Sequence, residues 1–242
     1  MDVFWNTIAA YNAATWPVQL LLVAVAAVLT LLLYLRPTRA VRVAMKVFMA
    51  ALNFWIAGVY YFIYCAPREH YDILALFWAV MGCIWIYDLA AGHDSLGRTG
   101  RHPRFALVLF CMPLVYPLFS LALGRTFPMI TSPVMPCSVA VFTVALMLAF
   151  SERANIVLAT FLCHWALIGL SKVYFFGIPE DFLLACSVVP ALFFRRYIRN
   201  RACESTKPSP RVLNALLAVL CAVIGVFFTF TLLHQFDLFT EI

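Results

Sequence analysis

Charged residues are scarce in this sequence: only 12% of its 242 residues are Asp, Glu, Lys or Arg. Soluble domains typically carry about 25%. Because 65% of the residues are hydrophobic, a soluble fold could not cover itself with a water-compatible surface. The composition therefore excludes an ordinary soluble protein and favours one that lies in a membrane.

Motifs for nucleotide binding or hydrolysis are also missing. The sequence has no Walker loop, dinucleotide fingerprint, HExxH, GxSxG or zinc-site spacing. It identifies no cofactor. The 8 cysteines are scattered without a CxxC and are interpreted as small packing residues. Only Cys65 and Cys137 lie where an oxidising compartment could pair them, and the sequence leaves their oxidation state open.

Long apolar runs fill nearly the whole chain. A membrane-spanning helix needs about 20 mostly apolar residues. The sequence predicts an all-α polytopic transmembrane bundle, a single domain over residues 1–242. Its eight predicted spans are 17–35, 41–65, 72–91, 104–123, 134–151, 154–174, 179–195 and 211–234.

The Lys and Arg residues sit in alternate gaps between these runs. Arg36, Arg39, Arg42 and Lys46 fill the first gap, and the third, fifth and seventh gaps hold most of the others. Only Arg68, Arg125 and Lys172 fall on the opposite side. Cytoplasmic loops carry the excess of basic residues, so both termini are predicted to face away from the cytoplasm. The positive charge is thus a determinant of topology, and no nucleic-acid partner is indicated.

The N-terminal residues have neither Lys nor Arg up to position 35, which excludes a cleavable signal peptide. Phe4, Trp5, Ile8 and Tyr11 recur at helical spacing, so residues 2–14 are predicted to form a short interfacial helix. Pro17 would then open the first span.

Polar side chains inside the spans are the candidate functional residues, since they are costly at membrane depth. Asn53, Ala57, Tyr60 and Tyr64 share one face of an α-helix. That face is either a polar pathway or an interhelical hydrogen-bonded seam.

His164 lies near the centre of the sixth span, beside Cys163 and on the face of Thr160 and Ser171. A histidine there could relay protons, bind a metal or contact a substrate. The alternative is a neutral histidine paired with a neighbouring helix. The full candidate pathway is Asn53, Tyr60, Thr143, Cys163, His164 and Ser171, with Cys137 and Ser138 near the outer mouth.

Four further ionisable residues are gate or proton-linked candidates. Lys172, Glu180 and Asp181 could form an ion-paired outer gate, or Lys172 could snorkel while the two acids cap a helix. Asp88 lies near the cytoplasmic end of the third span, where it is either interfacial or proton-carrying.

Prolines cluster between the fourth and fifth spans. The stretch 133–138 is predicted to begin unwound, because irregular backbone at membrane depth survives where it is buried or lines a cavity. Soft side chains nearby would suit copper(I), although no spacing rule supports the set. They are Met129, Met135, Cys137, Cys163 and His164.

Four segments resemble an uncharacterised bacterial multi-pass family, domain of unknown function 6064. They are YNAATWPVQ (11–19), WIAGVYYFIYCAP (55–67), PVMPCSVAVFTVALML (133–148) and WALIGLSKVYFFGIPED (165–181). The family pattern has Pro-Cys-Pro where this chain has Pro136, Cys137 and Ser138. The resemblance implies a bacterial cytoplasmic-membrane protein. Members are sometimes labelled permeases, and the family brings no established activity.

Three functions are compatible with these patterns. A permease or channel for a small molecule or ion follows from the span count and the polar faces. A non-catalytic membrane subunit, as a homo-oligomer or with another membrane chain, needs no chemistry of its own. An enzyme acting on a lipid-like substrate would have to use Cys163, His164, Lys172 or Asp88, and adjacent Cys163 and His164 point about 100° apart on a helix. The enzyme stays open as the least favoured of the three functions, and the bilayer is the expected partner of the chain.

Overall fold

The computed structural model describes residues 2–91, 96, 103–151, 156–176 and 184. The chain divides into two compact units, residues 1–193 and 194–242. The described residues all belong to the first unit. The predicted single domain over 1–242 includes both units and stays a prediction.

The described part of the first unit is helical. Six α-helices and one π-helical segment follow one another along the chain. They are α1 (Asp2–Leu35), α2 (Arg39–Trp55), the π segment (Ile56–Tyr64), α3 (Tyr71–Ala91), α4 (Pro103–Ala122), α5 (Pro136–Phe150) and α6 (Ile156–Phe176).

Each of the first six predicted spans corresponds to one of these helices, with α2 and the π segment together making the second. Four of the helices are long and apolar enough to cross a membrane: Val3–Leu35, Arg39–Tyr64, Tyr71–Ala91 and Arg104–Ala122. Helix α5 has only 15 residues, about 22 Å at 1.5 Å per residue. The runs 179–195 and 211–234 lie outside the described residues, apart from Leu184, so the count of eight stays a prediction.

The separate interfacial helix predicted for residues 2–14 is wrong. Helix α1 runs without a break from Asp2 to Leu35 and contains Pro17 in its interior. Its N-terminal half is packed into the protein, with Ile8 and Tyr11 fully buried and Asn12 and Gln19 also buried. Buried polar side chains need hydrogen-bond partners, and this face finds them on the loop before α5. An apolar face alone would have allowed the segment to lie on the membrane surface.

The π segment continues α2 without a break. It begins after Trp55 and ends where the amide of Cys65 donates to the carbonyl of Tyr60 at 3.0 Å. π-helical turns are rare and are frequent at functional sites. The wider turn places the adjacent Tyr60 and Tyr61 together in the interior, where both are buried. The α-helical spacing used to predict one face from Asn53 to Tyr64 therefore does not apply beyond residue 55.

Helices α2 and α3 form the tightest described pair. A Cβ on Gly82 of α3 would lie 3.0 Å from the ring of Phe54, so glycine is what lets the two helices approach. Beside this contact the rings of Trp78 and Trp165 meet edge to face at 5.2 Å, which ties α6 to α3. The buried core of the described helices thus lies where α2 packs on α3 and along α5, which is buried over most of its length and packs against both α4 and α6.

The connection between α4 and α5 is irregular, as predicted for residues 133–138. Helix α4 ends at Ala122, and α5 begins at Pro136 with a proline in its first turn. Between them the chain turns at Gly124, whose φ of 82° favours glycine, and passes through a cis Phe127–Pro128 bond. Val134 and Met135 are buried. The last part of the loop, residues 131–135, is mostly buried and faces the N-terminal half of α1.

Candidate functional site

A groove of about 720 Å³ runs between α1, α2, α4 and α5. Of the 21 described residues that line it, eighteen are apolar. Its rims include Leu31 and Leu107, which are 56% and 64% exposed, so the groove is open on the side they face. Its floor includes Phe110, whose ring packs on Phe142 at 5.4 Å and on Phe150 at 6.2 Å. Such a lining suits an apolar chain.

The three remaining lining residues are polar and lie at one end of the groove. They are Thr30, Tyr34 and Arg104. Tyr34 is next to the last residue of α1, and Arg104 is the second residue of α4. Ala149 and Phe150, at the end of α5, line the groove as well. The groove is therefore amphiphilic along its length, with one polar end.

A second cavity of about 420 Å³ adjoins the other end. The two cavities share Val23, Leu114 and Pro133 as lining residues. The second also has polar lining residues, namely Asn12, Gln19, Thr131 and Ser132. Together the cavities follow α1 from Asn12 to Tyr34, 22 residues or about 33 Å, which is close to the thickness of a bilayer's hydrocarbon core.

The polar residues of the second cavity are mostly engaged with the protein itself. Asn12 Nδ2 donates to the carbonyls of Pro128 and Ile130 at 2.9 and 2.7 Å. Gln19 Nε2 donates to Asn12 Oδ1 at 3.3 Å and to Thr15 Oγ1 at 2.9 Å. This chain of amides fastens the irregular loop to α1, so its first task is structural.

Tyr11 is the central contact between α1, the π-helical region and the loop. Its hydroxyl donates to the carbonyl of Val134 and accepts from Trp55 Nε1, both at 3.0 Å. Its ring meets those of Tyr60 and Tyr64 edge to face at 5.0 and 5.6 Å. A phenol with both hydrogen-bonding roles filled and its ring enclosed is a packing element.

Two arginines hold the beginning of α1. Arg68 donates to the carbonyl of Phe4 at 2.8 Å and to the hydroxyl of Thr7, and its guanidinium lies 4.3 Å from the centre of the Phe4 ring. Arg125 lies 3.3 Å above the ring of Trp5. Burial lowers the pKa of Arg68, but the neighbouring Tyr60, Cys65 and Tyr61 raise it above its usual value, so Arg68 stays charged. Two of the three predicted outer-side cations therefore stabilise α1, Arg68 through hydrogen bonds and a cation–π contact and Arg125 through a cation–π contact.

Lys46 and Asp88 form a buried ion pair between α2 and α3. Lys46 Nζ lies 2.8 Å from Asp88 Oδ2, and both side chains are only 5% exposed. Lys46 Nζ also reaches the backbone carbonyl of Asp88 at 3.4 Å. The charge pattern of the sequence places Lys46 in the first gap between spans. In the structure it lies inside α2, where the carboxylate of Asp88 on the facing helix pairs with it.

The predicted pathway residues of α2 and the π segment are buried. Asn53 is fully buried, and its Nδ2 donates to the carbonyl of Met49, one turn earlier, at 2.6 Å. Its Oδ1 accepts no hydrogen bond from the described part of the chain. Tyr60 is buried under Tyr11 and Tyr61. The groove described above is lined by neither Asn53 nor Tyr60.

The predicted residues of α5 are engaged locally. Ser138 donates to the carbonyl of Ser132 at 2.9 Å, and Thr143 donates to that of Val139 at 2.7 Å. Cys137 and Met135 are buried, and Met135 Sδ accepts from the amide of Ser132 at 3.3 Å. Ser138 thus joins the start of α5 to the loop.

On α6, His164 and Cys163 are half-buried. His164 Nδ1 donates to the carbonyl of Thr160 at 2.9 Å, because the carbonyl can only accept. This bond fixes the ring against its own helix. The side chains of Ser171 and Lys172 and the whole of Glu180 and Asp181 lie outside the described residues, so the predicted outer gate stays a prediction.

No cluster of three or more His, Cys, Asp or Glu side chains able to hold a metal occurs in the portions of the chain that the structure describes. Met129, one member of the proposed soft set, is 44% exposed on the loop, whereas Met135 is buried. Cys65 and Cys137 are both free thiols, and both are buried.

Sequence reasoning missed the groove and the ion pair. The groove-lining residues are the ordinary Leu, Val, Ala and Phe of four helices, so nothing in their spacing distinguishes them from other lipid-facing positions. The ion pair did carry a signal: Lys46 and Asp88 each fall within an apolar run on neighbouring antiparallel spans. Lys46 is seven residues after the first residue of α2 and Asp88 is three before the last residue of α3, so both lie near the same end of the antiparallel pair.

Comparison with known proteins identifies a family for this chain but no activity. No curated protein and no solved structure matches this chain. A family model covers residues 1–205, which include all the described helices. The chain therefore belongs to the family of unknown function DUF6064.

Proposed function

We propose that this protein is a membrane transport protein whose cargo is an amphiphile with a long apolar chain, carried along the groove between α1 and α4. The observation that supports the proposal is the groove itself: two adjoining cavities that are apolar in the middle and polar at both ends. A polar solute would lose its water in such a path without gaining hydrogen bonds. An acyl chain has no hydrogen bonds with water to lose, so it can enter this path without that cost.

The length of the groove supports transport rather than simple anchoring. Together with the adjoining cavity it follows α1 for about 33 Å, which matches the hydrocarbon core from one interface to the other. A headgroup passing along it would leave one polar cluster and arrive at the other. The exposed rim residues Leu31 and Leu107 let the chain of the cargo extend sideways into the bilayer during passage.

A polar path through Asn53 and His164 is a second candidate, for a small polar molecule or ion. The unpartnered Oδ1 of Asn53 is the observation that favours it, since an unsatisfied polar atom at membrane depth is costly. The two candidates differ in the residues on which transport depends.

The test is a transport assay in sealed proteoliposomes with a fluorescent single-chain lipid as cargo. Ala27→Trp places a large ring in the groove, so we expect at least a ten-fold loss of transbilayer movement. Ala24→Trp is the matched control, because Ala24 is exposed on the same helix and does not line the groove. Equal activity of both variants would rule out the groove as the route. If Asn53→Leu abolished uptake of a polar solute while Ala27→Trp had no effect, the second candidate would replace the first.

We also propose the complete topology: eight spans in the cytoplasmic membrane of a bacterium, with both termini outside the cytoplasm. The ends of α1 and α5 and the start of α4 all line one end of the groove. That end adjoins the basic first and third gaps, whereas Arg68 and Arg125 hold the opposite end of α1. This distribution supports a cytoplasmic location for the end marked by Tyr34 and Arg104.

A further inference from the structure

The two ends of the groove differ in charge. The end near Asn12 has neutral amides and hydroxyls, and its amides already bond to the protein. The end near Tyr34 has Arg104, the one charged side chain among the described residues that line either cavity. Among the described residues, no carboxylate pairs with Arg104. Within the described residues, Arg104 is thus a cation without a carboxylate partner at the end of an apolar groove, and such a cation is complementary to an anion.

Two hydroxyl groups accompany the guanidinium. Thr30 and Tyr34 are one turn apart on α1, on the face that lines the groove. Thr30 Oγ1 is buried, and no described residue bonds to it. Tyr34 is 44% exposed. A guanidinium with two hydroxyls is a donor set suited to phosphate or carboxylate oxygens.

The length of the groove indicates what kind of lipid tail it can hold. From Leu22 to Tyr34 the groove follows α1 for 12 residues, about 18 Å. That is slightly more than half of the roughly 30 Å hydrocarbon core, the depth that one acyl chain occupies in its leaflet. The polar end then lies at the interface with the chain pointing toward the middle of the bilayer.

From these observations we infer that the Tyr34 end of the groove is a binding site for an anionic lipid headgroup, held by Arg104 with its acyl chain along α1 and α4. The inference rests on the proposed function and specifies its cargo. Lipid tails are as apolar as the groove walls, so burying the chain gives little preference over bulk lipid. Selectivity therefore comes from the charge-assisted bonds at the headgroup.

Binding of two lysolipids to the purified full chain in neutral detergent tests the inference. Palmitoyl lysophosphatidylglycerol is anionic, and palmitoyl lysophosphatidylcholine has the same chain with a zwitterionic head. We expect the anionic lipid to bind at least ten-fold more tightly. Arg104→Gln should remove that preference, and Arg104→Lys should keep part of it. Arg39→Gln, an equal loss of charge at an exposed residue outside the groove, should leave the preference intact.

Each contrary result has a distinct meaning. Equal affinity of the wild type for the two lipids would overturn the inference, as would an equal effect of Arg39→Gln and Arg104→Gln. Competition by glycerol phosphate as strongly as by the lysolipid would mean a site for a free anion and would also overturn it. If Ala27→Trp weakened both lipids equally while Arg104→Gln changed nothing, the transport proposal would stand and only the headgroup site would fall. If Ala27→Trp left both lipids bound as before, the groove and the proposed function would fall together.

Discussion

Single residues matter most in this protein where they are charged and buried. Lys46 and Asp88 lie 2.8 Å apart with almost no exposure. Removing two charges from water is costly, and their attraction offsets the cost only while both are present. The pair therefore fixes the register of α2 against α3. The same reasoning explains why Arg68 and Arg125, both in loops, have their guanidinium groups over aromatic rings.

Breaking the ion pair should destabilise the fold. Lys46→Met leaves a carboxylate buried without its cation, and we expect a loss of about 3–5 kcal/mol in unfolding free energy. Thermal unfolding of the purified protein, followed by the fluorescence of its buried tryptophans, measures the change. The double variant Lys46→Met with Asp88→Leu should recover most of the loss, because no unpaired charge remains. A double variant as unstable as the single one would show that the loss does not come from the unpaired carboxylate.

At the scale of elements, the structure differs from the prediction because α1 is one continuous helix. Residues 2–14 looked like a separate surface helix, but α1 passes through Pro17 unbroken. Proline costs a helix one hydrogen bond and strains one turn. The bonds of Tyr11 and Asn12 to the α4–α5 loop hold the segment in place despite that cost. Those partners are more than 100 residues away, so no local pattern could have indicated them.

The contact between α2 and α3 depends on a glycine. Gly82→Leu should lower the unfolding free energy by about 1–3 kcal/mol, because the new side chain would overlap the ring of Phe54. Gly58→Leu is the control, since a Cβ at Gly58 meets nothing within 4 Å. Melting temperatures of the two variants make the comparison. Equal shifts would mean that the close approach at Gly82 is not needed for packing.

The whole molecule combines an apolar bundle with a lateral groove. Helix α2 packs on α3, and α5 is buried over most of its length, whereas α1, α4 and parts of α2 and α5 line the cavities. Rigid packing on one side and open volume on the other suit a protein that holds its shape while an amphiphile passes along its surface.

The topology of the whole molecule is open to a direct test. We expect alkaline phosphatase fused to either terminus to be active, and green fluorescent protein fused to either terminus to be dark, because both ends are proposed to lie outside the cytoplasm. A fluorescent fusion at only one terminus would mean an odd number of spans. Fluorescence at both would reverse the orientation and place Arg104 on the outer side.

The sequence alone determined the class of the protein and the bounds of its helices. Apolar run length and the scarcity of charge predicted the first six helices to within a few residues, except for the start of the first, because these properties are local. The family was also recognisable from four sequence segments. Tertiary structure decided the rest: the single α1, the wide turns of the π segment, the Lys46–Asp88 pair and the groove. Each of these features depends on contacts between side chains of different helices. Such contacts join residues that are tens of positions apart in the sequence, so the local periodicity of the sequence does not indicate them.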